Sequence, residues 1–270
     1  MTVNDQPLLD VRDLRKSFTA STGTLDRGNG SRRAIAVDGL TFSVRRGETL
    51  GIVGESGCGK TTLARLIVRL LEPDSGEIRF RGHDWLGAHG EELRALRSRI
   101  QMVFQDPIAS LNARMRVGEI VSEPLAIHEP RLPHRERQAR AKQMLEAVGF
   151  SGDSLGRYPH EFSGGQRQRI GIARALVLRP DLVVADEPVS ALDVSIGAQI
   201  LELLDGLRRD LSLTLILISH SLPVIAQLAT DVAVMQNGRF VELGAAEQVF
   251  HSPQHPYTQA LIRAVPQLRS

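Results

Sequence analysis

Residues 50–68 read LGIVGESGCGKTTLARLIV. An apolar run, Leu50-Gly51-Ile52-Val53, leads into a glycine-rich stretch, and residues 63–68 carry the pattern of an amphipathic helix. Strand, tight turn and helix are therefore expected in that order. Gly54, Gly57 and Gly59 let the backbone turn with its N–H groups pointing inward, and no side chain obstructs an approaching anion. A helix starting near Gly59-Lys60 adds unpaired N–H groups and the positive end of its dipole. Lys60 contributes a full positive charge, and Thr61 has its hydroxyl where the strand–GxxxxGK(S/T)–helix pattern has a Mg²⁺ ligand. Gly54, Glu55, Ser56, Gly57, Cys58, Gly59, Lys60, Thr61 and Thr62 thus form a candidate polyphosphate cradle.

Composition narrows what surrounds this cradle. The chain has 270 residues, 42% of them hydrophobic, enough for one large or two small domains with a buried core. Lys and Arg number 33 against 31 Asp and Glu, a net charge of +2, so no basic excess argues for nucleic acid. The N-terminal MTVNDQPLLD has neither a basic start nor an apolar core, which reads as no signal peptide and a cytosolic chain. The longest strongly apolar stretch, residues 211–218, falls far short of the ~20 residues of a membrane helix and reads as a buried strand. Cys58 is the single cysteine, so neither an internal disulfide nor a multi-cysteine metal cluster can form within the chain.

Strand-like runs recur at residues 8–11, 35–44, 49–53, 77–81, 100–104, 181–185, 214–219, 232–235 and 239–243. Several are continuously apolar, as strands covered on both faces of a parallel sheet must be, and helical patterns alternate with the later ones. An α/β sandwich with an antiparallel N-terminal part is expected. Between residues 106 and 161 strand signals vanish, and residues 135–148 read as a helix ended by Gly149, which marks a helical subdomain. Residues 19–33, with STGTLDRGNGS at their centre, read as a polar, glycine-rich loop.

Two further stretches bear on phosphate chemistry. Leu182-Val183-Val184-Ala185-Asp186-Glu187-Pro188 is an apolar strand that delivers two carboxylates to a sheet edge. Asp186 suits a Mg²⁺ ion, while Glu187 suits polarising a water for attack on a γ-phosphate. In Phe162-Ser163-Gly164-Gly165-Gln166, Ser163 is a good N-cap and Gly164 and Gly165 leave N–H groups accessible, so a second helix N-terminus can receive phosphate. SGGQ placed between a GxxxxGK(S/T) loop and an apolar strand ending in Asp-Glu resembles the signature of the ATP-binding cassette (ABC) ATPases.

That resemblance covers nearly the whole chain. It implies an α/β fold, a P-loop NTPase core with a mixed sheet, an N-terminal antiparallel β part and an inserted helical subdomain, the ABC ATPase fold. A single ABC ATPase domain would span 1–270, with the nucleotide-binding core at 1–105 and 181–250, the helical subdomain and signature at 106–180, and a C-terminal extension at 251–270. The cofactors implied are ATP and Mg²⁺. Ser163, Gly164, Gly165 and Gln166 would face the γ-phosphate of ATP held by a second subunit, and Asp193, in Ser190-Ala191-Leu192-Asp193, would belong to the loop that contacts it. Gln105 resembles the glutamine that contacts Mg²⁺ or the attacking water, and His220 resembles the switch histidine at the γ-phosphate. Lys60, Gln105, Glu187 and His220 are the catalytic candidates, and Thr61, Gln105 and Asp186 the metal candidates. Phe18 stands where the family has an aromatic ring stacked on adenine, though an aromatic residue there can equally belong to the core.

Residues 104–112 (FQDPIASLN), 186–195 (DEPVSALDVS) and 255–261 (HPYTQAL) resemble the bacterial oligopeptide/dipeptide importer ATPases. This branch implies an ATP-hydrolysing subunit that powers di- or oligopeptide import, held peripherally at the cytoplasmic face of the inner membrane. Its partners would be two transmembrane permease subunits, a second ABC ATPase subunit, related or identical, and, indirectly, an extracytoplasmic solute-binding protein. A nickel importer ATPase, a phosphonate-metabolism accessory ATPase and a soluble ABC ATPase without a transport role are the alternatives. Two residues depart from the branch: Ser221 follows His220 where Asp is usual, and Ala113 replaces the Pro of the SLNPR pattern.

Overall fold

The computed structural model describes residues 6–19, 33–106 and 110–265. The loop expected at 19–33 therefore falls almost wholly outside the described residues, as do Pro107, Ile108 and Ala109 of FQDPIASLN.

A mixed sheet forms the centre. Strands β3 (Thr49–Val53), β6 (Ile100–Val103), β7 (Leu182–Asp186), β8 (Thr214–Ser219), β9 (Asp231–Gln236) and β10 (Arg239–Ala245) lie in the order β10-β9-β3-β8-β7-β6. All pair in parallel except the β9–β10 hairpin. Beside this sheet lies an antiparallel one, order β2-β1-β4-β5, built from β1 (Leu9–Thr19), β2 (Arg33–Val44), β4 (Ser75–Phe80) and β5 (His83–Asp84).

The apolar runs of the central strands have a direct cause. Side chains alternate across a strand, so a strand with both faces covered must be apolar at every position. Leu182 and Val184, Ile216 and Ile218, and Ala233 and Met235 join one core with the antiparallel sheet's Leu9, Val11, Phe42 and Phe80. Val183 and Ala185, Leu215 and Leu217, and Val232 and Val234 join the other core, under the helices. Helix α1 (Lys60–Ile67) packs in the first core, and α2 (Gly90–Arg97) contributes Leu96 to it. Between β6 and β7 the chain forms α3 (Val117–His128), α4 (His134–Ala147) and α5 (Gly164–Leu176), the expected helical insertion. Helices α6 (Val194–Asp210) and α7 (Leu222–Leu228) follow β7 and β8, and α8 (Ala246–His251) and α9 (Pro256–Arg263) close the described chain.

Two elements differ from their sequence expectation. Strand β1 runs to Thr19 instead of ending at Val11, because a bulge at Asp13, whose φ is 43°, breaks the alternation while pairing with β2 continues. The apolar stretch 211–218 is not strand throughout: Leu211 caps α6 and Ser212 turns the chain at φ 52°, and β8 covers the run expected at 214–219. Among the described residues, no helix is long and apolar enough to cross a membrane.

Candidate functional site

Gly59 enters α1 in the left-handed region at φ 114°, with no side-chain cap on the helix. Its absent Cβ would overlap the Ala36 carbonyl oxygen of β2, and that of Gly54 would overlap the Met235 carbonyl oxygen of β9. The loop is thus pressed against strands of both sheets, and only glycine fits at either contact. The first N–H groups of α1 have no intrahelical partner and open on a cleft of about 580 Å³. Ser56, Gly57, Gly59, Lys60, Thr61 and Thr62 of the loop and helix start line it together with Gln105, Glu187, Ser190, Ala191, His220, Phe18 and Ala36.

Lys60 is 5% exposed and folds back over the loop, with Nζ donating to the Gly54 carbonyl at 2.7 Å and the Glu55 carbonyl at 2.8 Å. The two carbonyls supply the buried ammonium with hydrogen-bond acceptors at the lip of the cleft. Cys58 is buried beneath the loop, with Sγ 3.7 Å from the same Nζ.

The end of β7 places two carboxylates differently. Asp186 is 2% exposed and accepts from Thr61 Oγ1 at 3.3 Å. Burial pushes its carboxyl above the ordinary aspartate range; the Thr61 bond works against this and the neighbouring Glu187 charge adds to it. Glu187 has a left-handed backbone, φ 48°, unusual for a residue that precedes proline. The surroundings hold it there: its N–H donates to the Ile218 carbonyl at 2.8 Å, and its carbonyl accepts from Ser190 Oγ at 3.1 Å. This turn carries the side chain away from Asp186 to a point where Gln105 Nε2 donates to Oε2 at 3.3 Å and His220 Nδ1 lies 3.1 Å from the same oxygen. Strain over-determined by its surroundings is characteristic of functional positions.

The structure thus brings together Phe18, most of the loop, Gln105, Glu187 and His220, which lie on five separate stretches of chain. It leaves others apart. Asp193 lines a separate groove of about 440 Å³ behind His220, with Ser221 also on its wall. Asp186 opens instead on a neighbouring cleft of about 460 Å³, shared with Thr61 and Gln105. Ser163, Gly164, Gly165 and Gln166 line neither of these clefts nor the groove. Ser163 does cap α5, its Oγ accepting from the Gln166 N–H at 3.3 Å while Gln166 Oε1 accepts from the Ser163 N–H at 2.9 Å. Gly165 is buried against Ile196 of α6, and the rest of this N-terminus is open to solvent.

Sequence reasoning assigned no role to Tyr257, whose hydroxyl accepts from the Glu55 N–H at 3.2 Å. The HPYTQAL motif that contains it was the available signal.

Residues 37–190 match the ABC transporter family, and residues 241–270 match the oligopeptide/dipeptide transporter C-terminal region. The chain belongs to the ABC transporter family as an ATP-hydrolysing cassette. It is 49% identical over 98% of its length to the oligopeptide transport ATP-binding protein OppF of Escherichia coli, covering 80% of that protein. It is 48% identical to the dipeptide transport ATP-binding protein DppF of Haemophilus influenzae, over 97% of this chain and 79% of that one. Among solved structures it resembles the dimeric ATP-binding cassette MJ0796 in a post-hydrolysis state bound to ADP and Pi. The TM-score is 0.76 at 26% identity, over 88% of this chain and 98% of the other.

Proposed function

We propose that this cassette hydrolyses ATP to power import of di- or oligopeptides through a pair of membrane permeases, working from the cytoplasmic face with a second cassette as partner. The observation that carries the catalytic reading is the convergence of Gln105 and His220 on one oxygen of Glu187, in the cleft that Lys60 and the N-terminus of α1 also line. The peptide reading rests on the match of residues 241–270 and on the kinship with OppF and DppF.

Lys60 and the N–H groups at the start of α1 bind the polyphosphate, and Phe18 stacks on the base. Glu187 accepts the proton of the attacking water, and His220 and Gln105 hold its carboxylate in line. The buried carboxylate of Asp186 beside the Thr61 hydroxyl, with the Gln105 amide near, is the hard-oxygen donor set that suits Mg²⁺. Those residues would hold the ion, which would supply charge neutralisation on the phosphates. The exposed N-terminus of α5 supplies its N–H groups to nucleotide held by the partner cassette, which fits its place outside this chain's own cleft.

The test is purification of the C-terminally tagged protein from gently solubilised membranes. Two polytopic membrane proteins and a second SGGQ-bearing ATPase in the eluate are expected, together with ATP hydrolysis by the complex. Recovery from the soluble fraction alone, with ribosomes, nucleic acid or metabolic enzymes, overturns the transport reading.

A further inference from the structure

The residue the catalytic scheme does not use is Tyr257, and its contact is with the phosphate loop itself. The Glu55 peptide is held from both ends. Its N–H donates to Tyr257 Oη at 3.2 Å, and its carbonyl accepts from Lys60 Nζ at 2.8 Å and from the Cys58 N–H at 3.3 Å. Lys60 is the member of this clamp that must turn toward phosphate, and when it does the Gly54 and Glu55 carbonyls lose their cation. Tyr257 then still holds the N–H end of that first turn from outside the loop, as the Gly238 N–H holds its Cys58 carbonyl at 2.9 Å.

The segment that carries Tyr257 is itself anchored. Glu242 on β10 accepts from the Gln254 N–H at 2.8 Å and from the His255 N–H at 3.1 Å. His255 Nδ1 in turn accepts from the Tyr257 N–H at 3.2 Å and caps α9. The tyrosine ring packs against the helical-side core, so its hydroxyl is delivered by a ring with little freedom. Burial raises the phenol above its ordinary range.

We propose that Tyr257 is a positioning residue for nucleotide binding, and that the C-terminal segment presets the phosphate loop through the line Glu242, His255, Tyr257, Glu55. The inference rests on the reading of this loop as the ATP site. It assigns the HPYTQAL motif a role within the chain, independent of any membrane partner.

The test compares the full-length wild type with Tyr257→Phe, which keeps the ring and its packing, and with Glu242→Ala, which frees the start of α9. A fluorescent ATP analogue reads affinity, and steady-state hydrolysis gives KM and kcat. Loss of one neutral hydrogen bond predicts an affinity about fivefold weaker for Tyr257→Phe, with KM raised to match and kcat retained. Glu242→Ala is expected to shift affinity in the same direction, and the double variant to be no worse than the weaker single one, because both act through one contact. Amide exchange at residues 54–58 without nucleotide should quicken in Tyr257→Phe. Wild-type affinity and exchange in Tyr257→Phe overturn the proposal, as does a loss confined to kcat. Absence of nucleotide binding by the wild type instead removes the site assignment on which it stands.

Discussion

Adjacent carboxylates at one strand end are separated by conformation rather than by chemistry. Asp186 points into a buried position where ionisation is disfavoured, while Glu187, turned through a left-handed backbone, reaches the cleft and the two side chains that share its oxygen. Glu187→Gln preserves size and most hydrogen bonding but cannot accept a proton. Hydrolysis should fall by about 10²–10⁴-fold while ATP still binds, as measured by phosphate release and nucleotide affinity. Asp186→Asn is expected to separate stability from activity. A folded-state pKa raised above the unfolded value means that the ionised carboxylate costs stability at neutral pH; the cost begins to fall as pH drops through the raised value and is gone below the ordinary aspartate value. The Asn variant should therefore melt above wild type without Mg²⁺ near pH 7, with the two converging at acid pH. Its Mg²⁺-dependent hydrolysis should drop on the order of a hundredfold or more. Calorimetry across pH together with the activity assay checks both signs.

Secondary-structure elements meet at this site through missing side chains. Gly59 brings α1 against β2 at Ala36, and Gly165 brings the start of α5 against α6 at Ile196. Gly59→Ala should destabilise the fold by about 1–3 kcal/mol, since the backbone is left-handed there and the methyl meets a carbonyl oxygen rather than a flexible side chain. A denaturant titration with unchanged m value is the measurement, and a variant as stable as wild type would sink the argument. At this scale much was legible in the chain. The central strands announced themselves because both faces are covered, and the GxxxxGK(S/T) loop fell on its strand-to-helix junction as the glycine spacing required. Strand β1 beyond Val11 was not legible, because a bulge hides its alternation among polar residues. Nor was the left-handed Glu187 turn, since a residue before proline argues for extended backbone. The Tyr257 to Glu55 contact joins positions 202 apart in sequence, and local periodicity carries no trace of such a pairing.

In the proposed function, the molecule as a whole holds half of two sites rather than one complete site. Its cleft gathers Lys60, Gln105, Glu187 and His220, while the capped N-terminus of α5, with N–H groups free to take an anion, opens to solvent outside that cleft. Val194, the first residue of α6 beside Asp193, is 92% exposed. On that proposal, closure of two chains around ATP would complete both sites, and hydrolysis would remove the γ-phosphate that joins them. Glu187→Gln blocks that removal, so ATP should hold the variant closed. Light scattering on the purified Glu187→Gln chain is expected to report one chain's mass without nucleotide and two with ATP, and one again with ADP. Adding Ser163→Arg on that background places a long side chain at the cap of α5 and should return the mass with ATP to that of one chain, while this chain's own cleft still binds nucleotide. A mass that stays at one chain with ATP overturns self-pairing and leaves a related cassette as the required partner, which mixing with the second ATPase of the purified complex would then restore to the mass of two.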